Sequence, residues 1–214
     1  ERGRRWPWPL MPHPALAAKK DNHMKAELIT APAAEPVTLA EAKEWLRVDG
    51  ADEDAAISRL VASAREALER ATGRLMMTQT WRLSLDAWPA PTGDLTVMAL
   101  PLAPVQNIAA VRVFDQAGAA QTIAAAAYQL VGPADAARLL FKSAPAAPGR
   151  AVGGIEIECV AGYGAPSAVP ASLRQAVVEL VAQWFQQRGD ATDARALPET
   201  VRALIAPYRR ARLI

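Results

Sequence analysis

The hydrophobic period of this chain changes twice, and that double change restricts its fold more than any single motif. From Leu39 to Ala71 apolar residues recur at helical spacing, from about residue 76 to Val160 they tend to alternate, and from Pro170 helical spacing returns. The second switch is abrupt. In CVAGYGAPSAVP, residues 159–170, the alternating run Ile155, Ile157, Cys159 ends in Gly162-Tyr163-Gly164, and Pro170 opens a long amphipathic helix that runs to Arg188. Glycines let the chain leave a sheet at backbone angles other residues avoid, and proline suits the first turn of a helix, where its missing N–H has no partner to lose. Helical spacing on both sides of a β region predicts an α+β fold: a helical body of two N-terminal and two C-terminal helices, with a small antiparallel β domain inserted.

Local signals place the elements. Thr38-Leu39-Ala40-Glu41 has the form of a capping box, in which threonine and glutamate satisfy each other's orphan amides. Leu39, Ala42, Trp45 and Leu46 follow on one stripe, and Asp49-Gly50 offers a stop. Asp52 is the expected cap of a second helix striped by Ile57, Leu60, Val61, Ala64, Leu68 and Ala71 and closed by Gly73. Trp81, Leu83 and Leu85 alternate with polar residues in a half-buried strand. LTVMALP, the run through Val111 and Val113 with a turn at 115–118, and the segments 128–131, 138–141 and 154–160 are further strands. The helix after Pro170 carries Leu173, Ala176, Val177, Leu180, Val181 and Trp184, with Gly189 as its end, and a short helix is predicted within 198–213. The organisation expected is therefore a leader at 1–23, a helical pair at 24–75, a β insertion at 76–164, and C-terminal helices with a basic tail at 165–214, the two helical parts packing as one body.

Chemistry is scarce. Both histidines, His13 and His23, lie in the leader, so the body lacks the bases of Ser-His or Cys-His catalysis and the commonest zinc ligand. No CxxC, P-loop or GxGxxG motif is present. The carboxylate pairs Glu41/Glu44, Asp52/Asp54 and Glu156/Glu158 read as caps or solvated faces. Cys159 is the single cysteine, which excludes an internal disulfide, fits a reducing compartment, and reads as a buried small hydrophobe. No apolar run approaches the roughly 20 residues that span a bilayer, and no signal-peptide core is present. The chain is read as a non-enzyme with no cofactor and no metal.

Charge is uneven under a formal net of +2. The leader, ERGRRWPWPLMPHPALAAKKDNH, concentrates arginine, lysine and proline; it is either foreign to the domain that starts at Met24 or an arm that orders against a neighbour. The last twenty residues hold Arg195, Arg202, Arg209, Arg210 and Arg212 against Glu199 alone. APYRRARLI is either a solvated terminus or a peptide that docks into a partner, with Tyr208, Leu213 and Ile214 as apolar anchors and the arginines as charge-assisted contacts. Trp45, Trp81 and Trp184 read first as packing residues.

Three stretches together carry a resemblance: VTLAEAKEWLRVDGADEDAAISRLVASAREALERATGR, LPLAPVQNIAAVRVFD, and IEIECVAGYGAPSAVPASLRQAVVELVAQWFQQRGD followed by LPETVRALIAPYRRARL. In order and spacing the chain resembles the head–tail connector (adaptor) proteins of long-tailed bacteriophages, and its alanine-rich idiom is similar to the adaptor of alphaproteobacterial gene transfer agents. The leader has no counterpart in that pattern. The resemblance implies a virion structural protein assembled in the bacterial cytoplasm. It would form a homo-oligomeric ring, a dodecamer, in the neck beneath the portal protein, meet a stopper or tail-completion protein below, and line a channel for double-stranded DNA, with no membrane involved. It also implies that Tyr208, Arg209, Arg210, Arg212, Leu213 and Ile214 enter the portal. Trp184, Phe185, Arg188 and Trp45 are the candidates for contact between subunits. The alternatives are a stopper or tail-completion protein without portal contact and a small-molecule-binding domain.

Overall fold

Thr38 and Glu41 make the bonds their spacing encodes. In the computed structural model, which describes residues 24–187 and 197–209, the Glu41 N–H donates to Thr38 Oγ1 (3.2 Å) and the Thr38 N–H donates to the Glu41 carboxylate (2.8 Å). Helix α1, Leu39–Leu46, follows and stops at Arg47, whose left-handed φ of 56° ends it before the expected Asp49-Gly50. Helix α2, Asp54–Thr72, is preceded by Glu53 and has no side-chain cap, so the expected Asp52 cap is not made. Lys43 fixes the turn instead, donating to the Gly50 carbonyl (2.6 Å) and to Asp54 (2.5 Å). Gly73 closes α2 in left-handed geometry, φ 68°, as expected.

Helix α3, Ala171–Gln186, begins after Pro170, and helix α4, Glu199–Ile205, begins after Pro198 and runs into a 3-10 turn, Ala206–Tyr208. These four α-helices of the described residues enclose one core. Ile57 and Leu68 of α2, Leu173 and Leu180 of α3, and Val201 and Ile205 of α4 are all buried in it, with Ala42 of α1. Ala64 and Ala176, fully buried, let α2 and α3 approach closely.

Among the described residues eight strands make the β region: β1 Met24–Thr30, β2 Gln79–Leu85, β3 Thr96–Ala99, β4 Val105–Phe114, β5 Ala120–Thr122, β6 Tyr128–Val131, β7 Arg138–Phe141 and β8 Ile155–Ala161. They form a five-stranded sheet, order β1-β2-β8-β4-β5, and a three-stranded sheet, order β3-β7-β6, antiparallel throughout. A second core lies between them, with Leu83, Ile155 and Ile157 from the larger sheet against Met98, Leu139 and Phe141 from the smaller. In β8 the alternation is complete: Ile155, Ile157, Cys159 and Ala161 are buried and Glu156 and Glu158 face outward.

One strand differs from the sequence reading. Residues 24–30 belong to the sheet, as an edge strand paired with β2 from Met24↔Leu85 to Thr30↔Thr80, and not to a purely helical 24–75 segment. Six of its seven residues are exposed. No half-buried alternation marks it, and the ladder to β2 alone defines it.

The glycine joint is a point of close contact. Gly162 has φ 125°, its N–H donates to the Pro104 carbonyl (2.7 Å), and a Cβ there would lie 2.0 Å from the Met77 carbonyl oxygen. The Tyr163 N–H donates to Met76 O (3.2 Å) and the Thr78 N–H donates to Gly164 O (3.3 Å). The segment leaving the helices for β2 and the segment returning from β8 to α3 thus run side by side.

Candidate assembly interface

The proposed tail contact begins at a braced turn. Tyr208 is half-buried against the helical core, its Oη lies 2.9 Å from Ser172 Oγ on α3, and its carbonyl accepts from Arg74 Nε (2.7 Å). Arg74 also donates from Nη2 to Asp135 (3.2 Å), so one guanidinium holds the end of the helical body and the β region together. Burial pushes the phenol of neighbouring Tyr163 up. Tyr208 thus braces its own subunit while its side chain stays partly accessible, and Arg209 beside it is exposed. Arg210, Arg212, Leu213 and Ile214 lie outside the described residues.

The subunit-contact candidates do not form one patch. Trp184 and Phe185, near the end of α3, are half-buried and pack on the helical core; Arg188 lies outside the described residues. Trp45 is on α1 and 49% exposed, against the reading that made it a packing residue. It shares a surface groove with Glu44, Arg47, Arg174 and Val178. On α3 that groove runs from Ala171 to Val178, which is six residues, about 9 Å along the helix at 1.5 Å per residue, before Trp184.

A further surface was missed by sequence reasoning. Leu28 on β1, beside its ladder partner Trp81 on β2, lines an apolar groove together with Ala31, Pro32 and Leu102, walled by the last turns of α2. Its polar wall is a buried network. Arg65 donates to Glu35 (2.7 Å) and to Glu69 (2.9 Å), and Glu69 also accepts from the Met76 N–H (2.7 Å) and Gln79 Nε2 (3.0 Å). Burial pushes the Glu69 carboxyl up, opposed in part by the Met76 N–H and Arg65. The groove escaped notice because β1 has no hydrophobic alternation to announce it.

The remaining polar groups are structural. Glu158 accepts from Arg82 (3.0 Å) and Arg112 (2.8 Å) on the outer sheet face, and those bonds, Arg112's first, hold its carboxyl below the ordinary range. Glu41 caps α1 and pairs with Arg174 (2.5 Å). Cys159 is fully buried, and burial pushes its thiol up to about 12, where it is neither nucleophile nor ligand at neutral pH. Among the described residues no group of three or more His, Cys, Asp or Glu side chains could hold a metal ion, and no helix is long and apolar enough to cross a membrane.

Among the described residues, then, the carboxylates hold the fold, the thiol is buried, and a few large apolar side chains stand exposed. The match to known families agrees: residues 35–211 fit the family model described as head completion protein, and the chain belongs to that family, whose role is structural and not enzymatic. No curated protein matches it. Among solved structures it is similar to a chain in the neck of an empty gene transfer agent (GTA) particle computed with C6 symmetry, with 33% identity and a TM-score of 0.75, covering 89% of this chain and 97% of that one. It is also similar to a chain in the virion of a native GTA particle (33%, TM-score 0.72, 88% and 97%). A third match is a chain in the neck of a native GTA particle computed with C12 symmetry (32%, TM-score 0.69, 89% and 97%).

Proposed function

We propose that this chain is the adaptor of a head–tail neck in a phage or gene transfer agent particle. In this reading its copies form a ring, a dodecamer, between the portal protein above and a stopper or tail-completion protein below. The observation that carries it is the likeness, over 97% of their length, to chains from the necks of GTA particles, one computed with twelvefold symmetry. Residues 31–75 and 165–214 act as one helical body, and 76–164 together with strand β1 form its outgrowth. The basic tail from Arg209 to Ile214 enters the portal, while Tyr208, held by Ser172 and Arg74, fixes where that tail leaves the body. Arg188, with Trp184 and Phe185, stays a candidate for subunit contact.

A ring around DNA must let it slide, and dense phosphate binding would hold it. Outside its leader the chain carries 19 basic and 20 acidic residues, and a body so close to neutral suits double-stranded DNA in transit without sequence recognition. The test is to mix the full chain with purified portal rings and image the product. The expected result is a ring of this protein seated on the portal. A variant lacking residues 209–214 should melt as the full chain does and lose portal binding. Undiminished binding by that variant would assign the chain to the stopper or tail-completion role instead.

A further inference from the structure

We propose that neighbouring copies meet by seating Trp45 of one subunit in the groove formed by Leu28, Trp81 and Leu102 of the next. This rests on the ring reading above and says which two faces close the ring. A cyclic assembly joins two different patches of the same chain head to tail, so each subunit must carry both a knob and a matching recess. Among the described residues only a handful of large apolar side chains are exposed, and one stands at each of these places: Trp45 at 49% on α1 and Leu28 at 42% on β1. Tryptophan anchors in desolvated pockets dominate the energetics of protein interfaces, because one ring removes a large apolar area from water at small loss of conformational freedom.

The two patches are far apart on one subunit. Helix α1 packs beside the start of α2, where Lys43 reaches Asp54, whereas the groove lies along Arg65, Glu69 and Gly73 near its end. From Asp54 to Arg70 is about 24 Å of helix at 1.5 Å per residue, so no subunit can fill its own groove with its own Trp45. That separation is what a head-to-tail contact needs.

Charge selects a second copy as the occupant. Trp45 is flanked by exposed Glu44 and Arg47. The mouth of the groove is flanked by Arg70 and Glu66, 74% and 56% exposed. Each side thus offers one anion and one cation beside its apolar element. Glu44 facing Arg70 and Arg47 facing Glu66 match in sign, whereas the reversed orientation sets like charges against each other.

Disulfide trapping tests the pairing in the full chain, since Cys159 is the chain's sole cysteine and is buried. The double variant Glu44→Cys/Arg70→Cys keeps Trp45 and Leu28 and places one thiol on each side of the contact. Oxidised on portal rings, it should give a ladder of covalent multimers up to the closed ring. Each single variant should give none, and adding Trp45→Ala to the double variant should abolish the ladder. In solution, Trp45→Ala should weaken self-association at least about tenfold with unchanged melting. Glu44→Arg should also weaken it, and Arg70→Glu in the same chain should restore it. Rings imaged without a ladder overturn this pairing alone; a wild-type chain that forms no ring on the portal overturns the ring reading and this inference with it. A cross-link from position 44 or 70 to the portal protein, in place of a second copy, likewise overturns it.

Discussion

Glu158 lies between two guanidinium groups on the outer face of the larger sheet, and its geometry fixes how acid acts on the fold. Its carboxyl is held below the ordinary value of 4.5 by hydrogen bonds from Arg112 and then Arg82. A carboxyl lowered in the folded state contributes stability that is present above its unfolded value and is lost as pH falls through the folded one. Glu158→Gln should therefore destabilise the protein by about 1 kcal/mol at neutral pH, the scale of a partly exposed ion-pair network. The gap between the urea midpoints of the two proteins should then shrink as pH drops below 4.5. A gap that stays constant into the acid range would remove the Arg82–Glu158–Arg112 ladder as its cause. At this scale the sequence was readable where local pattern decides. Cys159 alternates with Ile155 and Ile157, so its burial follows; the Glu156/Glu158 pair does lie on the opposite face, but its side chains are only 21% and 17% exposed and sit in ion pairs with Arg82 and Arg112 instead of on a solvated face. Trp45 was not readable, since a helical stripe shows which residues share a face and not how far a neighbouring helix covers it. Tyr208 fits both a docking peptide and an internal brace until Ser172 and Arg74 are seen beside it.

Elements were legible in proportion to their punctuation. Thr38 and Glu41 start α1, Gly73 stops α2, and the glycine joint ends β8, each by chemistry contained within a few residues. Strand β1 has no such mark: its pairing with β2 joins residues 50 to 61 positions apart, and both its faces are largely exposed. The start of α2 differs for a related reason: no side chain caps it, and the loop before it is held from α1 by Lys43, which donates to the Gly50 carbonyl and to Asp54. The joint itself can be tested by comparing its two glycines. Gly164→Ala meets nothing nearer than 3.6 Å, so only its φ of 126° opposes the change, at about 1–3 kcal/mol. Gly162→Ala adds a Cβ 2.0 Å from the Met77 carbonyl oxygen and should lower stability by about 4 kcal/mol or more. Equal urea midpoints for the two variants would show that the close crossing of the two connecting segments does not govern the joint.

On the scale of the whole molecule two cores meet where few residues cross. One core lies among the helices and the other between the sheets. Besides the glycine joint and the bond from Gln79 of β2 to Glu69 of α2, Arg74 spans the gap, with Asp135 of the β region on one side and the Tyr208 carbonyl on the other. Its guanidinium is largely buried, so the bonds it makes are not easily replaced by water. That position couples the outgrowth to the root of the basic tail. A shift of the β region against the helices would be felt where the tail leaves, and a tail held by a partner would restrain the β region in turn. Arg74→Met keeps the apolar stem and removes both bonds. It should lower stability by about 2 kcal/mol, the scale of a charge-assisted hydrogen bond, and leave both cores formed. Hydrogen exchange should speed up across 199–208, while α2 and β8 keep their protection. Portal binding should weaken although every residue from Arg209 onward is intact, because the tail then departs from an unfixed turn. Unchanged exchange across 199–208 would mean that Ser172 and the core contacts of Val201 and Ile205 hold that turn by themselves, and that the brace does not link tail and outgrowth.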